Sequence, residues 1–158
     1  MILAGVISVG GSGSLNPDPG AHRYWRLVAQ SNSGNATYVG AAFVRWIDAE
    51  GFSLTDAAYL SANDEDPVFI AGAAGVFGGD ANLTSWRTDG AAIVGSWLQA
   101  DFGAARSIAR VEIYARSDTV FFDQTIKDFT LEWSDDGVAW NAAPAITWPL
   151  STSAAAGA

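Results

Sequence analysis

Two adjacent phenylalanines in a polar segment are the residues of this chain best suited to binding a ligand. Phe121 and Phe122 lie in RSDTVFFDQ (residues 116–124), between two predicted strands. Aromatic rings in a loop can stack on the apolar face of a sugar ring, while short polar side chains bond its hydroxyls. The polar neighbours are Arg116, Asp118, Asp123 and Gln124. The alternative is structural: the two rings plug one end of the fold or contact a neighbouring subunit.

Three residues in other loops are candidates for the rim of the same site. Tyr38 is the one aromatic residue of the polar loop SNSGNATYVG (residues 31–40), and Arg87 and Asp89 follow Trp86. For each of them a purely structural role in its loop remains open.

No arrangement of residues indicates catalysis. His22 is the only histidine and there is no cysteine, so a hydrolase triad and a cysteine nucleophile are not indicated. The 17 acidic residues include no pair marked for glycoside hydrolysis. There is also no phosphate-binding loop, dinucleotide fingerprint or zinc-protease motif. We therefore expect a protein that is not an enzyme.

The charge balance narrows the range of partners. The chain carries 17 acidic and 8 basic residues, for a net charge of −9, and Lys127 is its one lysine. Phosphate backbones and anionic membrane surfaces would repel it, so nucleic acid is excluded as an expected partner. The apolar stretch ILAGVISVG (residues 2–10) is not preceded by a basic residue, so it does not indicate a secretory signal.

Alternation of apolar and polar residues predicts β-strands in three segments. They are YWRLVAQ (24–30), SWLQADFG (96–103) and RVEIYAR (110–116). Their buried faces are expected to be Trp25, Leu27 and Ala29; Leu98, Ala100 and Phe102; and Val111, Ile113 and Ala115. Trp97, Trp133 and Trp140, in or beside strands, are expected in the core with Trp25. Helical patterning is weak, and LTDAAYLSA (54–62) is the one candidate for a helical turn.

The segment DFTLEWSDDGVAW (128–140) predicts a hairpin. Phe129, Leu131 and Trp133 alternate with polar residues, and SDDG (134–137) has the residues of a tight turn, in which Gly137 takes a positive φ. Phe129, Leu131 and either Trp133 or Trp140 are expected to be buried. The turn is expected to be scaffold and not part of a ligand site.

The order of these pieces resembles the discoidin domain, also called the coagulation factor 5/8 type C domain, of the galactose-binding-like superfamily. The matching parts are Asp80 to Trp86, Asp101 to Gly103, Val111 to Ile113, and Phe129 to Trp140. The motifs YWRL and QTIKDF are also similar to the variant found in bacteriophage structural proteins. The resemblance implies an all-β jelly-roll sandwich of about eight antiparallel strands. It also implies a non-catalytic module with binding loops at one end, which in relatives bind sugars, lipid head groups or proteins.

The resemblance also raises the question of calcium. Many family members hold a structural calcium in the loop that is here GVFGGDANLTSW (75–86), and Asp80, Asn82 and Thr84 supply the oxygen ligands that calcium prefers. Gly78 stands where the family has its first aspartate, so one ligand is missing. The alternative is a turn whose polar side chains bond the backbone, with Trp86 packed in the core.

Composition divides the chain into three parts. Residues 1–21 are expected to form an apolar arm and a Gly/Ser/Pro linker, residues 22–148 the sandwich, and residues 149–158 a flexible tail.

Two functions follow. The first is a carbohydrate-binding module on a virion fibre, spike or tail, at the virion surface or outside the cell, attaching the particle to a bacterial surface glycan. The second is a structural virion or assembly protein whose sandwich contacts other subunits and whose residues 1–20 dock into a neighbouring chain, in a homo-oligomer or a larger assembly. The two functions are compatible, since the arm could anchor the chain while the sandwich binds a glycan. Membrane binding through Phe121 and Phe122 ranks lower, because the chain is acidic.

Overall fold

The computed structural model describes residues 2–8, 20–54, 60–63, 86–90, 92–115, 122–142 and 146–147. These ranges hold one 3-10 turn (Phe122–Gln124) and no α-helix. Their strands are β1 (Ile2–Ser8), β2 (Ala21–Ala29), β3 (Gly40–Ala41), β4 (Phe43–Asp48), β5 (Ser53–Leu54), β6 (Leu60–Ala62), β7 (Trp86–Arg87), β8 (Trp97–Ala115), β9 (Asp128–Ser134), β10 (Asn141–Ala142) and β11 (Ile146–Thr147). All their pairings are antiparallel, which confirms the all-β class.

The long strand β8 belongs to both layers of the sandwich. Its first part (97–107) pairs with β2 on one side and β6 on the other. Its second part (108–115) pairs with β1 and β4. We call β10–β9–β2–β8–β6, with β11 also on β9, the front sheet, and β1–β8–β4–β5 the back sheet. The short strands β3 and β7 pair with each other.

The core lies between these two sheets and follows the predicted alternation. Trp25, Leu27 and Ala29 of β2 are buried, as are the alternate residues of β8 that the sequence assigned to the interior. Trp46 of the back sheet meets Phe102 across the core, with ring centroids 6.2 Å apart. The predicted buried faces are therefore confirmed.

Two tryptophans expected in the core lie elsewhere. Leu98 points into the core, so its neighbour Trp97 points to the outer face of the front sheet. Trp97 and Trp140 are both only half-buried. Trp140 follows the hairpin and packs on Arg26 of that outer face. Their assignment to the core was wrong. Trp46 is fully buried.

The segments predicted as two strands around Gly103 form the single strand β8. Tyr24 pairs with Asp101 while His22 pairs with Arg106, so several residues of β8 bulge outward between these two positions. Gly103 has a φ of 69°, which allows the bulge without ending the strand. The helical turn suggested for residues 54–62 was wrong at its end, where β6 is a strand; residues 55–59 lie outside the described ranges.

The predicted hairpin turn is confirmed. Ser134 Oγ accepts hydrogen bonds from the backbone N–H groups of Asp136 and Gly137, and Asp136 Oδ1 accepts those of Val138 and Ala139. Gly137 has a φ of 73°. Phe129 and Leu131 are buried, and Trp133 packs partly buried against the core.

The apolar segment near the N-terminus is a strand of the back sheet. Residues 2–8 pair with residues 110–115 of β8. The stretch interpreted as an arm for a neighbouring subunit is thus paired within its own chain. In addition, no helix in the described ranges is both long and apolar enough to cross a membrane.

Candidate functional site

The loop of residues 31–39 crosses one end of the front sheet, directly after β2. Two asparagines shape it. Asn35 Oδ1 accepts the backbone N–H groups of Thr37 (3.0 Å) and Tyr38 (2.9 Å), and Asn32 Nδ2 donates to the backbone oxygens of Asn35 and Tyr38. Asparagine favours such local turns because its side chain replaces backbone partners. The loop therefore holds Tyr38 in a defined position.

Arg87 lies against Tyr38. Its guanidinium carbon is 4.2 Å from the centre of the tyrosine ring, a cation–π contact. The short pair β3–β7 brings Arg87 to this position, since Gly40 pairs with Arg87. A Cβ on Gly40 would come within 2.4 Å of the Trp86 backbone oxygen, so only glycine permits this approach. Arg87 is itself buried, with 9% of its surface exposed.

The 3-10 turn Phe122–Gln124 joins the same loop. Asn35 donates from its backbone N–H to the Asp123 backbone oxygen (3.1 Å) and from Nδ2 to Asp123 Oδ2 (2.9 Å). Ser33 donates from both its backbone N–H and its hydroxyl to the Thr125 backbone oxygen. Two segments far apart in sequence are thus tied into one structure.

Three consecutive residues of this structure carry buried oxygens without a hydrogen-bond partner in the described part of the chain. They are Asp123 Oδ1, Gln124 Oε1 and Thr125 Oγ1. The carboxylate and amide oxygens can only accept, and a native protein ordinarily satisfies such groups with its own donors, water or a ligand. In the described part of the chain, this end of the sandwich therefore has two acceptor oxygens, Asp123 Oδ1 and Gln124 Oε1, available to a donor.

The structure brings together four of the nine predicted ligand residues. Tyr38 contacts Arg87, and the loop that holds Tyr38 binds Asp123, which precedes Gln124. Asp89 is exposed, two residues after Arg87. Its neighbour Gly90 lies close to Tyr38, since a Cβ on Gly90 would stand 3.2 Å from the Tyr38 ring. Phe122 has its backbone in the 3-10 turn. Arg116, Asp118 and Phe121 lie outside the described residues, as do the predicted calcium ligands Asp80, Asn82 and Thr84.

Sequence reasoning missed the residues that organise the site. Asn32 and Asn35 were not singled out, although two asparagines in a Ser/Gly loop are a signal for side-chain-bonded turns. Thr125 was also missed, and no sequence signal marks it.

The single histidine has a partner that sequence reasoning did not indicate. His22 Nδ1 lies 2.9 Å from Asp135 Oδ1 of the hairpin turn, and the imidazole packs beside the rings of Trp25 and Trp133. This pair lies at the far end of β2 from the loop of residues 31–39, so it is not part of the candidate site.

Comparison with protein-family models identifies the fold family. The model of the F5/8 type C domain matches residues 61–153. Comparison with curated proteins and with solved structures gives no match. Domains of this type are binding modules for carbohydrates or other ligands and are generally not catalytic. With more than half of its length matched, and with antiparallel sheets as that family requires, the chain belongs to the F5/8 type C domain family.

Proposed function

We propose that the protein is a carbohydrate-binding module that attaches a virus particle to a bacterial surface glycan. The observation that carries the sugar-binding part is the gathering of Tyr38, Arg87, Asp123 and Gln124 around one loop at one end of the sandwich. Membership of a family of binding modules supports the same function.

The chemistry of this end suits a sugar. Sugars offer hydroxyl donors along their edges and apolar CH groups on their faces. Asp123 Oδ1 and Gln124 Oε1 are acceptors without a partner among the described groups. A sugar hydroxyl that donated a hydrogen bond to one of them would give a partner to the protein oxygen and to the hydroxyl alike. The Tyr38 ring, held by Arg87, offers an apolar surface beside them. Phe121 and Phe122 remain proposed sugar contacts on the sequence alone, since the side chains of both lie outside the described part of the chain.

The virion setting rests on the similarity of YWRL and QTIKDF to the variant in bacteriophage structural proteins. The alternative function is assembly through the sandwich and the N-terminal arm. Its arm has less support, because β1 is paired with β8 of its own chain.

A glycan array of bacterial surface polysaccharides and simple sugars, followed by calorimetry, tests sugar binding. Tyr38→Ala and Gln124→Ala should each weaken binding at least tenfold. The control is Val138→Ala, because Val138 is 83% exposed at the hairpin, the opposite end of β9 from the site. Failure of the wild-type protein to bind any glycan, or equal binding by all variants, would count against the proposal. Reduced adsorption of particles to host cells in the presence of free protein tests the attachment role.

A further inference from the structure

The outer face of the front sheet carries aromatic side chains where an exposed sheet face ordinarily carries polar ones. We call this the tryptophan surface; it consists of Tyr24, Arg26, Trp97, Gln99, Glu132 and Trp140. All six are half-buried, and those on strands alternate with residues that point into the core. The family's binding loops lie at the end of the sandwich, so this is a separate surface.

Strand register places these residues side by side. Arg26 of β2 lies opposite Gln99 of β8 and opposite Glu132 of β9, so the three form a row across three strands. Trp97 lies opposite Val28, one step along the same face. Since neighbouring strands are about 4.8 Å apart, such a row offers a continuous contact line for an extended ligand.

The aromatic rings are held in place by Arg26. Its guanidinium carbon is 3.8 Å from the Trp140 ring centre and 5.8 Å from that of Trp97. The guanidinium is fixed in turn by Glu132, 2.6 Å from Arg26 Nη2 and 2.7 Å from Nε. A surface arranged before binding loses less conformational freedom when a ligand arrives.

The charges of this face cancel one another. Arg26 pairs with Glu132, and at the next row Arg23 Nε and Nη2 donate to the two carboxylate oxygens of Asp101 at 2.8 and 2.9 Å. The Arg23 hydrogen bond also holds the pKa of Asp101 below its ordinary value, so this carboxylate stays charged and paired. Arg23, Arg26, Asp101 and Glu132, the charged residues described on this face, are all paired, so a face of aromatic rings and polar groups suits a neutral ligand better than a charged one.

We propose that the tryptophan surface binds a neutral polysaccharide chain lying across β8, β2 and β9. Sugar faces would stack on Trp97 and Trp140, and hydroxyls would bond Gln99 and Thr130, which is also half-buried on this face. One sugar ring can stack on one tryptophan, whereas a chain can contact both. The surface therefore selects polymers, and it acts independently of the loop site proposed above.

Affinity electrophoresis tests this with native gels containing dextran, galactomannan, xyloglucan or laminarin, and with the acidic polymer alginate as a comparison. At least one neutral polymer should retard the wild-type protein, and Trp97→Ala and Trp140→Ala should each weaken that retardation at least tenfold. Phe52→Ala is the matched control, since Phe52 is an aromatic residue, 68% exposed, next to β5 of the back sheet. Tyr38→Ala is run beside them to report any binding of the polymer at the loop site.

A second measurement uses the unaltered chain, so it does not depend on the folding of a variant. N-bromosuccinimide oxidises accessible tryptophans, and mass spectrometry locates the product. The retarding polymer should protect Trp97 and Trp140, while Trp133, on the core side of β9, serves as the internal reference. The proposal is overturned if no neutral polymer retards the protein, if only alginate does, or if both tryptophans react equally with and without polymer. Loss of retardation in Tyr38→Ala but not in Trp97→Ala would assign polymer binding to the loop site instead.

Discussion

Two fully buried tryptophans on opposite sheets should respond differently to the same substitution. Trp25 and Trp46 are both 0% exposed. Trp25 Nε1 donates to the backbone oxygens of His22 (3.0 Å) and Arg106 (3.2 Å). Trp46 Nε1 has no acceptor among the described residues. Replacing either tryptophan by phenylalanine removes a similar volume. At Trp25 the change breaks two hydrogen bonds, whereas at Trp46 it removes an N–H group that has no acceptor among the described residues.

The expected difference follows from the polar atom alone. Trp25→Phe loses a net hydrogen-bond contribution of about 1 kcal/mol, whereas Trp46→Phe removes a buried unpaired N–H that costs about 1–3 kcal/mol. The cost of the smaller side chain is common to both. Trp25→Phe should therefore lower the free energy of unfolding by about 2–4 kcal/mol more than Trp46→Phe does. At about 3 °C per kcal/mol for a domain of this size, the two Tm values should differ by about 6–12 °C.

Urea denaturation followed by tryptophan fluorescence and circular dichroism measures this difference. The denaturant slope should be the same in both variants, so that midpoints report stability alone. If Trp46→Phe proves as destabilising as Trp25→Phe, then the Trp46 N–H has a partner, such as a buried water, and the reasoning is refuted.

Five further outcomes are expected. Gly137→Val should lower the Tm more than Gly51→Val, because both glycines have positive φ but a Cβ at 137 also meets the Tyr24 ring at 3.3 Å while nothing lies within 4 Å at 51; equal losses would contradict this. Folded Gly137→Val should keep sugar binding at the loop site. The pKa values of Asp101 and Asp136 are held below the ordinary 3.8, by the Arg23 hydrogen bond and by backbone N–H groups. The two ionised carboxylates therefore contribute to the stability of the fold above about pH 4, and this contribution is lost as the pH falls further. Asp136→Asn should flatten the dependence of the free energy of unfolding on pH, measured by urea titrations between about pH 2 and 6. Removing residues 1–8 should lower the Tm, because β8 loses a neighbouring strand. Light scattering should show the same oligomeric state for the shortened and the full-length chain. A larger oligomer of the full-length chain would instead favour assembly through these residues. If calcium binds at Asp80, Asn82 and Thr84, added calcium should raise the Tm of the wild type but not of Asp80→Ala.

Alternation in the sequence was sufficient for the buried faces of the strands and for the hairpin, whereas assigning tryptophans to the core by residue type failed at Trp97 and Trp140. Burial in a sheet acts at every second residue, so Leu98, Ala100 and Phe102 could be assigned to the core without knowing their partners. The turn of Ser134 to Gly137 was equally predictable, because its hydrogen bonds connect residues close in sequence.

Partners distant in sequence could not be predicted. Tyr38, Arg87, Asp123 and Gln124 were chosen by residue type, but their convergence depends on bonds such as that between Asn35 and Asp123, 88 residues apart. The pairing of β1 with β8 likewise leaves no local pattern, and neither does the bulge that lets β8 continue past Gly103. Such features depend on contacts between segments that are far apart in the sequence.

The position of β2 between β8 and β9 has a consequence for synthesis on the ribosome. Arg23 meets Asp101 78 residues later, and Arg26 meets Glu132 106 residues later. At about 5–20 residues per second, the nascent chain holds β2, with its apolar Trp25 and Leu27, unpaired for about 4–16 s before β8 has been made. High separation of partners also makes such sheets slow to fold. Until β8 and β9 have been translated, β2 therefore has neither of the two strands that flank it in the folded sheet.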